Sequence, residues 1–167
     1  NLPKKGFIFT CFNKNYKITQ KEFNIWMRLL IKIEGSVLWL YKSNKWSIKN
    51  LKQEALKRKI DPNRLIFADE LPLEKHLARH SLGDLALDTF NYNGHTTTSD
   101  SLWAGLPVLT KIGESFAARV SASLLTSIGL PELITYSEKE YENKALYIAR
   151  NPEQLLNLKS KLLKSKE

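Results

Sequence analysis

The chain has 167 residues but only one cysteine, Cys11, and one methionine, Met27. A single thiol closes no internal disulfide and builds no Cys-rich zinc site. Set inside an apolar run, Cys11 reads as inert core. With its only methionine internal, the chain does not start at an initiator, and a fragment or trimmed chain is expected. No apolar run approaches the ~20 residues that a membrane-spanning helix needs. The start, Asn1 to Gly6, has no apolar stretch ahead of a small-residue cleavage site, so a cytoplasmic location is expected. No G-x-G-x-x-G follows the first apolar run, and no G-x-x-x-x-G-K-[ST] occurs, which argues against a standard dinucleotide fold and a P-loop NTPase. The three histidines, His76, His80 and His95, have neither H-E-x-x-H spacing nor that of a facial triad, so no metal site is expected. His80 reads as a surface residue. Internal repeats and low-complexity stretches are also missing.

What is present suits one soluble domain: 43% of the residues are apolar. The net charge is +9, and it is unevenly distributed. Residues 42–59 carry seven basic side chains against Glu54 alone, and residues 159–167 carry four against Glu167. The rest of the chain is neutral. Such a distribution reads either as solvated basic surface or as a contact for a polyanion.

Strand and helix signals alternate. Phe7–Phe12 reads as a buried strand. Thr19 opens a helix with Glu22 as its capping-box partner. Phe23, Trp26, Met27, Leu30 and Ile33 then form one apolar face up to Gly35. Further strands are expected at Ser36–Tyr41, Arg64–Ala68, Asp84–Thr89, Pro107–Thr110 and Leu133–Thr135. Helices are expected at 46–59, from Pro72 to about Ser81, at Thr96–Ala104, at Phe116–Ile128, from a Ser137/Glu140 capping box to Ala149, and from Pro152 into the basic tail. The pattern predicts a doubly wound parallel α/β fold, Rossmann-like, over residues 1–167, with a core of about 7–150 and a C-terminal helix and tail at 151–167. Ligands of such sheets bind outside the carboxyl ends of the strands.

The loops at those ends hold the candidate residues. Lys17, just before the capped helix, can meet a phosphate or be an ordinary surface lysine. Asn91–Asp100 is a polar loop running into a helix, whose exposed N–H groups and dipole make an anion site. Thr96 and Thr97 add hydroxyl donors there. Asp100 can satisfy the helix dipole or accept from a ribose diol. His95 can cap the helix or donate to a substrate oxygen. His76 and Arg79, at i and i+3, share a helix face that can hold a base and a phosphate, or simply face solvent. Arg119 can pair with a phosphate or with Glu114.

Asn93 to Thr110, N-G-H-T-T-T-S-D-S-L-W-A-G-L-P-V-L-T, resembles the signature of the nucleocytoplasmic protein O-GlcNAc transferases and their Spindly-type relatives. F-N-K-N-Y-K-I (12–18), S-V-L-W-L (36–40), E-K-H-L-A-R (74–79), F-A-A-R-V-S-A-S-L-L (116–125) and G-L-P-E-L-I (129–134) match the same family in order, so the resemblance covers about residues 7–163. It implies the C-terminal, donor-binding half of a B-type glycosyltransferase, usually preceded by an N-terminal catalytic half and tetratricopeptide repeats. By this resemblance Lys17 matches the lysine on the diphosphate and His95 the histidine beside the sugar-phosphate. Thr96 and Thr97 match phosphate-binding threonines, Asp100 the ribose-binding aspartate, and His76 and Arg79 nucleoside-side residues. Lys14 stands where a glutamine contacts phosphate, and Leu73 where a lysine lies against the nucleoside.

The implied reaction is inverting transfer of a sugar, N-acetylglucosamine from UDP-GlcNAc, to Ser or Thr of an acceptor protein. It needs no cofactor or metal, because a helix N-terminus and a lysine can take the charge of the leaving diphosphate. The missing half would supply the acceptor site and any base, so the chain alone is expected to bind donor without turnover. Four alternatives stand beside this reading: a GDP-fucose-using Spindly-type transferase, a sugar-nucleotide epimerase of the same fold, a family member that has lost transfer, and a non-enzymatic basic module binding nucleic acid or a membrane. The last leaves the His-Thr-Thr loop unexplained, and neither partner is expected.

Overall fold

The computed structural model describes residues 2–165. Six parallel strands form one sheet: β1 (Ile8–Cys11), β2 (Val37–Tyr41), β3 (Leu65–Ala68), β4 (Leu85–Leu87), β5 (Val108–Lys111) and β6 (Ile134–Thr135). Their spatial order is β3-β2-β1-β4-β5-β6. The crossovers are α1 (Gln20–Lys32), α2 (Lys45–Lys57), α3 (Leu73–Arg79), α4 (Thr96–Trp103) and α5 (Val120–Ser127), followed by α6 (Glu138–Arg150) and α7 (Pro152–Lys164). Strands buried on both faces must be apolar throughout, and Phe9, Leu38, Leu40, Leu85, Leu87 and Leu109 are almost completely buried. The strand order reverses between β1 and β4, so the loops leaving these two neighbours diverge and open a crevice.

Local chemistry sets the ends of these elements. The Thr19 backbone N–H donates to Glu22 Oε1 at 2.8 Å, and the Thr19 hydroxyl bonds the same carboxylate. The apolar face of α1 is buried at Phe23, Trp26, Met27 and Leu30, with Ile33 partly so. After it Gly35 takes φ +70°, which a side chain would resist. Trp26 Nε1 donates to the Tyr141 hydroxyl, which donates to the Asp88 carbonyl, tying α1 and α6 to the end of β4.

Several expected boundaries shift. The helix expected over 46–59 ends at Lys57, because Lys59 takes φ +61° and the Ile60 N–H returns to the Ala55 carbonyl. The helix expected over Phe116–Ile128 is a 3-10 turn, 116–118, then α5, with Arg119 at φ −121° breaking the register. At Ser137 only half of the capping box forms: Ser137 Oγ accepts from the Glu140 N–H, but the Glu140 carboxylate accepts from Tyr136 instead. His80, expected on the surface, is fully buried, with its ring edge-on to Phe12 and Nδ1 bonded to the His76 carbonyl. The last helix continues to Lys164; Leu158 and Leu162 are buried, Lys159 bonds the Gly83 carbonyl, and Lys161 pairs with Glu132. The tail residues Lys166 and Glu167 lie outside the described residues. Among the described residues no helix is long and apolar enough to cross a membrane.

Candidate functional site

The crevice between the loops after β1 and β4 is a cleft of about 390 Å³. It brings together six of the nine candidates, Lys14, Lys17, His95, Thr96, Thr97 and Asp100, with Phe12, Tyr16 and Tyr92 as aromatic walls. A larger hollow of about 780 Å³ lies between the start of α1 and α2. It is away from the switch point, and its one carboxylate, Glu54, is already paired with Lys57 and Arg58.

A buried carboxylate builds the cleft. Asp88, just past β4, is 2% exposed. Its Oδ1 accepts from Asn13 Nδ2 (3.1 Å) and from the backbone N–H groups of Thr89 (2.9 Å) and Gly94 (2.7 Å). Its Oδ2 accepts from the Thr110 hydroxyl at 2.7 Å. One side chain therefore gathers the loop after β1, the loop after β4 and strand β5. Burial pushes the Asp88 pKa above the ordinary carboxylate value, against the pull of these donors. Asn13 passes the constraint on: its Oδ1 accepts from the Thr97 hydroxyl at 2.6 Å. Gly94 sits in close quarters, where an added Cβ would lie 2.6 Å from Thr98 Oγ1 and 2.7 Å from Asn13 Oδ1.

On the β1 side, Lys17 Nζ donates to the Asn93 carbonyl at 3.0 Å and lies 3.8 Å from the centre of the Tyr92 ring. Partial burial holds its pKa below the ordinary lysine value. Lys14, more exposed, donates to the Tyr41 hydroxyl at 3.0 Å, which raises its pKa. On the β4 side, His95 precedes α4, but its side chain makes no capping bond. Its ring stacks on Tyr92 at 4.9 Å, and its Nε2 lies 3.4 Å from the Ala117 carbonyl. Of the two expected hydroxyl donors, only that of Thr96 faces the cleft unengaged, because the Thr97 proton is given to Asn13. Thr96 and Thr97, whose first-turn N–H groups have no partner within α4, line the cleft. The combination of two ammonium groups, a helix N-terminus, a hydroxyl and one carboxylate suits a polyphosphate linked to a diol.

His76 and Arg79 lie outside this cleft, behind Phe12. Arg79 is 8% exposed; Nη1 donates to the Asp69 carbonyl at 2.6 Å, Nη2 meets His76 Nδ1, and the guanidinium lies 4.8 Å from the Phe12 ring centre. It is thus committed to its own chain. Because the guanidinium only donates, His76 Nδ1 is the acceptor and Nε2 carries the proton. Burial first, then the Arg79 charge, pull the His76 pKa down to about 4. Among the described residues Arg119 forms no ion pair; its Nη1 lies 3.4 Å from the Gly113 carbonyl. Cys11 is buried, and burial raises its thiol pKa, in keeping with inert core. Among the described residues no group of three His, Cys, Asp or Glu side chains is placed to hold a metal ion.

The sequence reading missed Asp88, Asn13 and Tyr92. For Asp88 the available signal was a second carboxylate inside an apolar strand, which is rare without a partner.

Comparison with known proteins shows the family and the fold. The family model described as glycosyl transferase family 41 matches residues 1–167. A UDP-N-acetylglucosamine–peptide N-acetylglucosaminyltransferase of Caenorhabditis elegans is 34% identical over 161 residues, covering 96% of this chain and 14% of that protein. A probable enzyme of the same name, SEC, from Arabidopsis thaliana is 37% identical over 166 residues, covering 99% of this chain and 17% of the relative. A solved mutant of the Thermobaculum terrenum O-GlcNAc transferase superposes with a TM-score of 0.92 at 30% identity, over 96% of this chain and 31% of that one. This chain therefore spans about a sixth of the length of its curated relatives. On sequence and fold together, it is a member of glycosyl transferase family 41.

Proposed function

We propose that this chain is the donor-binding half of an inverting glycosyltransferase that moves N-acetylglucosamine from UDP-GlcNAc to Ser or Thr hydroxyls of proteins. The observation that carries the reading is that Lys17 and the N-terminus of α4 line one cleft at the switch point. In the transfer, the acceptor oxygen forms a bond to the anomeric carbon as the bond from that carbon to the diphosphate breaks. The acceptor proton passes to a base. Negative charge grows on the departing diphosphate, where Lys17, Lys14, the Thr96 hydroxyl and the N–H groups of α4 stabilise it. His95 sits beside the sugar-phosphate and Asp100 accepts from the ribose diol. Thr97 contributes its backbone N–H, its hydroxyl being held by Asn13. On the nucleoside side, beyond Phe12, His76 offers an Nε2–H to the nucleobase, with Arg79 behind it.

The acceptor site and the base belong to a preceding catalytic half, with tetratricopeptide repeats before it. The names of the relatives in worm and plant support the uridine nucleotide and the peptide acceptor. Leu73, 63% exposed beside the nucleoside side, replaces the lysine of the family pattern, so the base is tested directly. The test is calorimetric titration of the chain with UDP, GDP and a short duplex DNA at two salt concentrations, for wild type, Lys17→Ala and Asp100→Ala. The reading expects UDP to bind and both substitutions to weaken it. Preference for GDP would make the donor a guanosine sugar. Binding of DNA alone, with a steep salt dependence, would replace the donor reading with a basic module.

A further inference from the structure

We infer that Tyr92 is a positioning residue that aims the Lys17 ammonium into the cleft. The inference rests on the reading of Lys17 as the contact of the donor diphosphate. A lysine side chain has many rotamers, and fixing one for an anion costs affinity unless something fixes it beforehand. Here two neighbours from one loop do so. The Asn93 carbonyl takes one N–H of Lys17, and the face of the Tyr92 ring takes a second through its negative quadrupole. An ammonium has three donors, so one is left for the cleft.

The ring is well placed to hold an aim. Asn93 is fully buried, and its side-chain amide donates to the Thr89 carbonyl. The Tyr92 carbonyl accepts from the Thr89 hydroxyl at 2.6 Å, so the backbone under the ring is pinned. The ring also stacks on His95 with 21° between the planes, and His95 in turn meets Phe116 edge-on. Tyr92 is 42% exposed, so its replacement leaves no cavity in the core. The Tyr92 hydroxyl takes no part, which predicts that phenylalanine substitutes for tyrosine and leucine does not.

The test uses the 167-residue chain, UDP as the probe, and the variants Tyr92→Phe, Tyr92→Leu, Lys17→Ala and the double variant Lys17→Ala/Tyr92→Leu. Calorimetry is expected to give Tyr92→Phe within about twofold of wild type and Tyr92→Leu weaker by about fivefold, the size of one partly exposed cation–π contact. In the Lys17→Ala background the leucine penalty falls below about twofold, because the contact it removes is already gone. Proton–carbon NMR reads the geometry without nucleotide: the Lys17 Cε protons are shifted upfield by the ring current in wild type and Tyr92→Phe, but not in Tyr92→Leu. A leucine variant that binds UDP like wild type, a phenylalanine variant as weak as leucine, or an undiminished penalty in the Lys17→Ala background overturns the inference. If Lys17→Ala weakens UDP and Tyr92→Leu does not, this inference alone falls. If wild type binds neither UDP nor GDP, the donor reading falls and takes the inference with it.

Discussion

Replacing Asp88 with alanine removes the acceptor of four hydrogen bonds in one place. Asn13 Nδ2 keeps a second partner in the Thr89 hydroxyl. The N–H groups of Thr89 and Gly94 and the Thr110 hydroxyl have no second acceptor among the described residues, in a buried setting. Each buried donor left unmet costs ~1–3 kcal/mol, and removing the desolvated carboxylate returns part of that, so the net loss is about 3 kcal/mol. Asparagine keeps Oδ1 and its three donors, and the Thr110 hydroxyl can turn to accept from the new amide, so Asp88→Asn should lose only ~1 kcal/mol. Urea unfolding followed by tryptophan fluorescence measures both, with buried Trp26 as a reporter. The pH dependence adds a sign. Burial raises the folded-state pKa above the ordinary 3.8, so the folded chain holds this proton to higher pH than the unfolded chain. The contribution is greatest below that value and declines as pH rises through the folded pKa. The asparagine variant lacks this decline, so the gap between wild type and Asp88→Asn narrows as pH rises. If alanine and asparagine variants unfold within about 0.5 kcal/mol of each other, Asp88 is not the hub of these loops.

Other outcomes follow from the same geometry. Gly94→Ala should destabilise the chain by ~1–3 kcal/mol and abolish UDP binding, because its methyl group meets Thr98, Asn13 and Thr97 at once; calorimetry and thermal melting check it. His76, with a folded pKa of about 4 against 6.5, favours its neutral form, so its stabilisation is complete above pH 6.5 and is lost as pH falls toward 4. Thermal midpoints of His76→Gln across that window should fall less steeply than those of wild type, and equal slopes would count against the assignment. Converting Lys45, Lys49 and Lys52 of α2 to glutamine should leave UDP affinity within about twofold at both salt concentrations, since they line no part of the cleft.

Much of the fold was legible because buried parallel strands and amphipathic helices write different periods into the chain. All six strands and all seven crossover and terminal helices lie where the alternation put them, with ends shifted by a few residues. The shifts come from single residues whose backbone is set by context, such as Lys59 and Arg119. The cleft was legible through topology: two loops after adjacent strands at a switch point must face one another. The orientation of side chains within those loops was not. Arg79 shares a helix face with His76 as its spacing requires, but nothing local reveals that the Asp69 carbonyl and the Phe12 ring claim its guanidinium. His80 looks like a surface residue on a short helix until Phe12 is laid over it. Asp88 and Tyr92 act through partners distant in sequence or around a turn, and their roles exist only once the sheet is assembled.

The anchoring of the loop after β4 has a consequence for how such a site can change. Asp88 holds it through the Gly94 and Thr89 amides, and Asn93 clamps it from within, so the path of the backbone depends on four inward-facing positions. Asn91 between them is exposed, and Leu73 stands exposed on the neighbouring helix. These outward residues form an interchangeable fitting on a fixed bracket. Altering them would change the rim of the cleft while the bracket, and with it the N-terminal end of α4, stays in register.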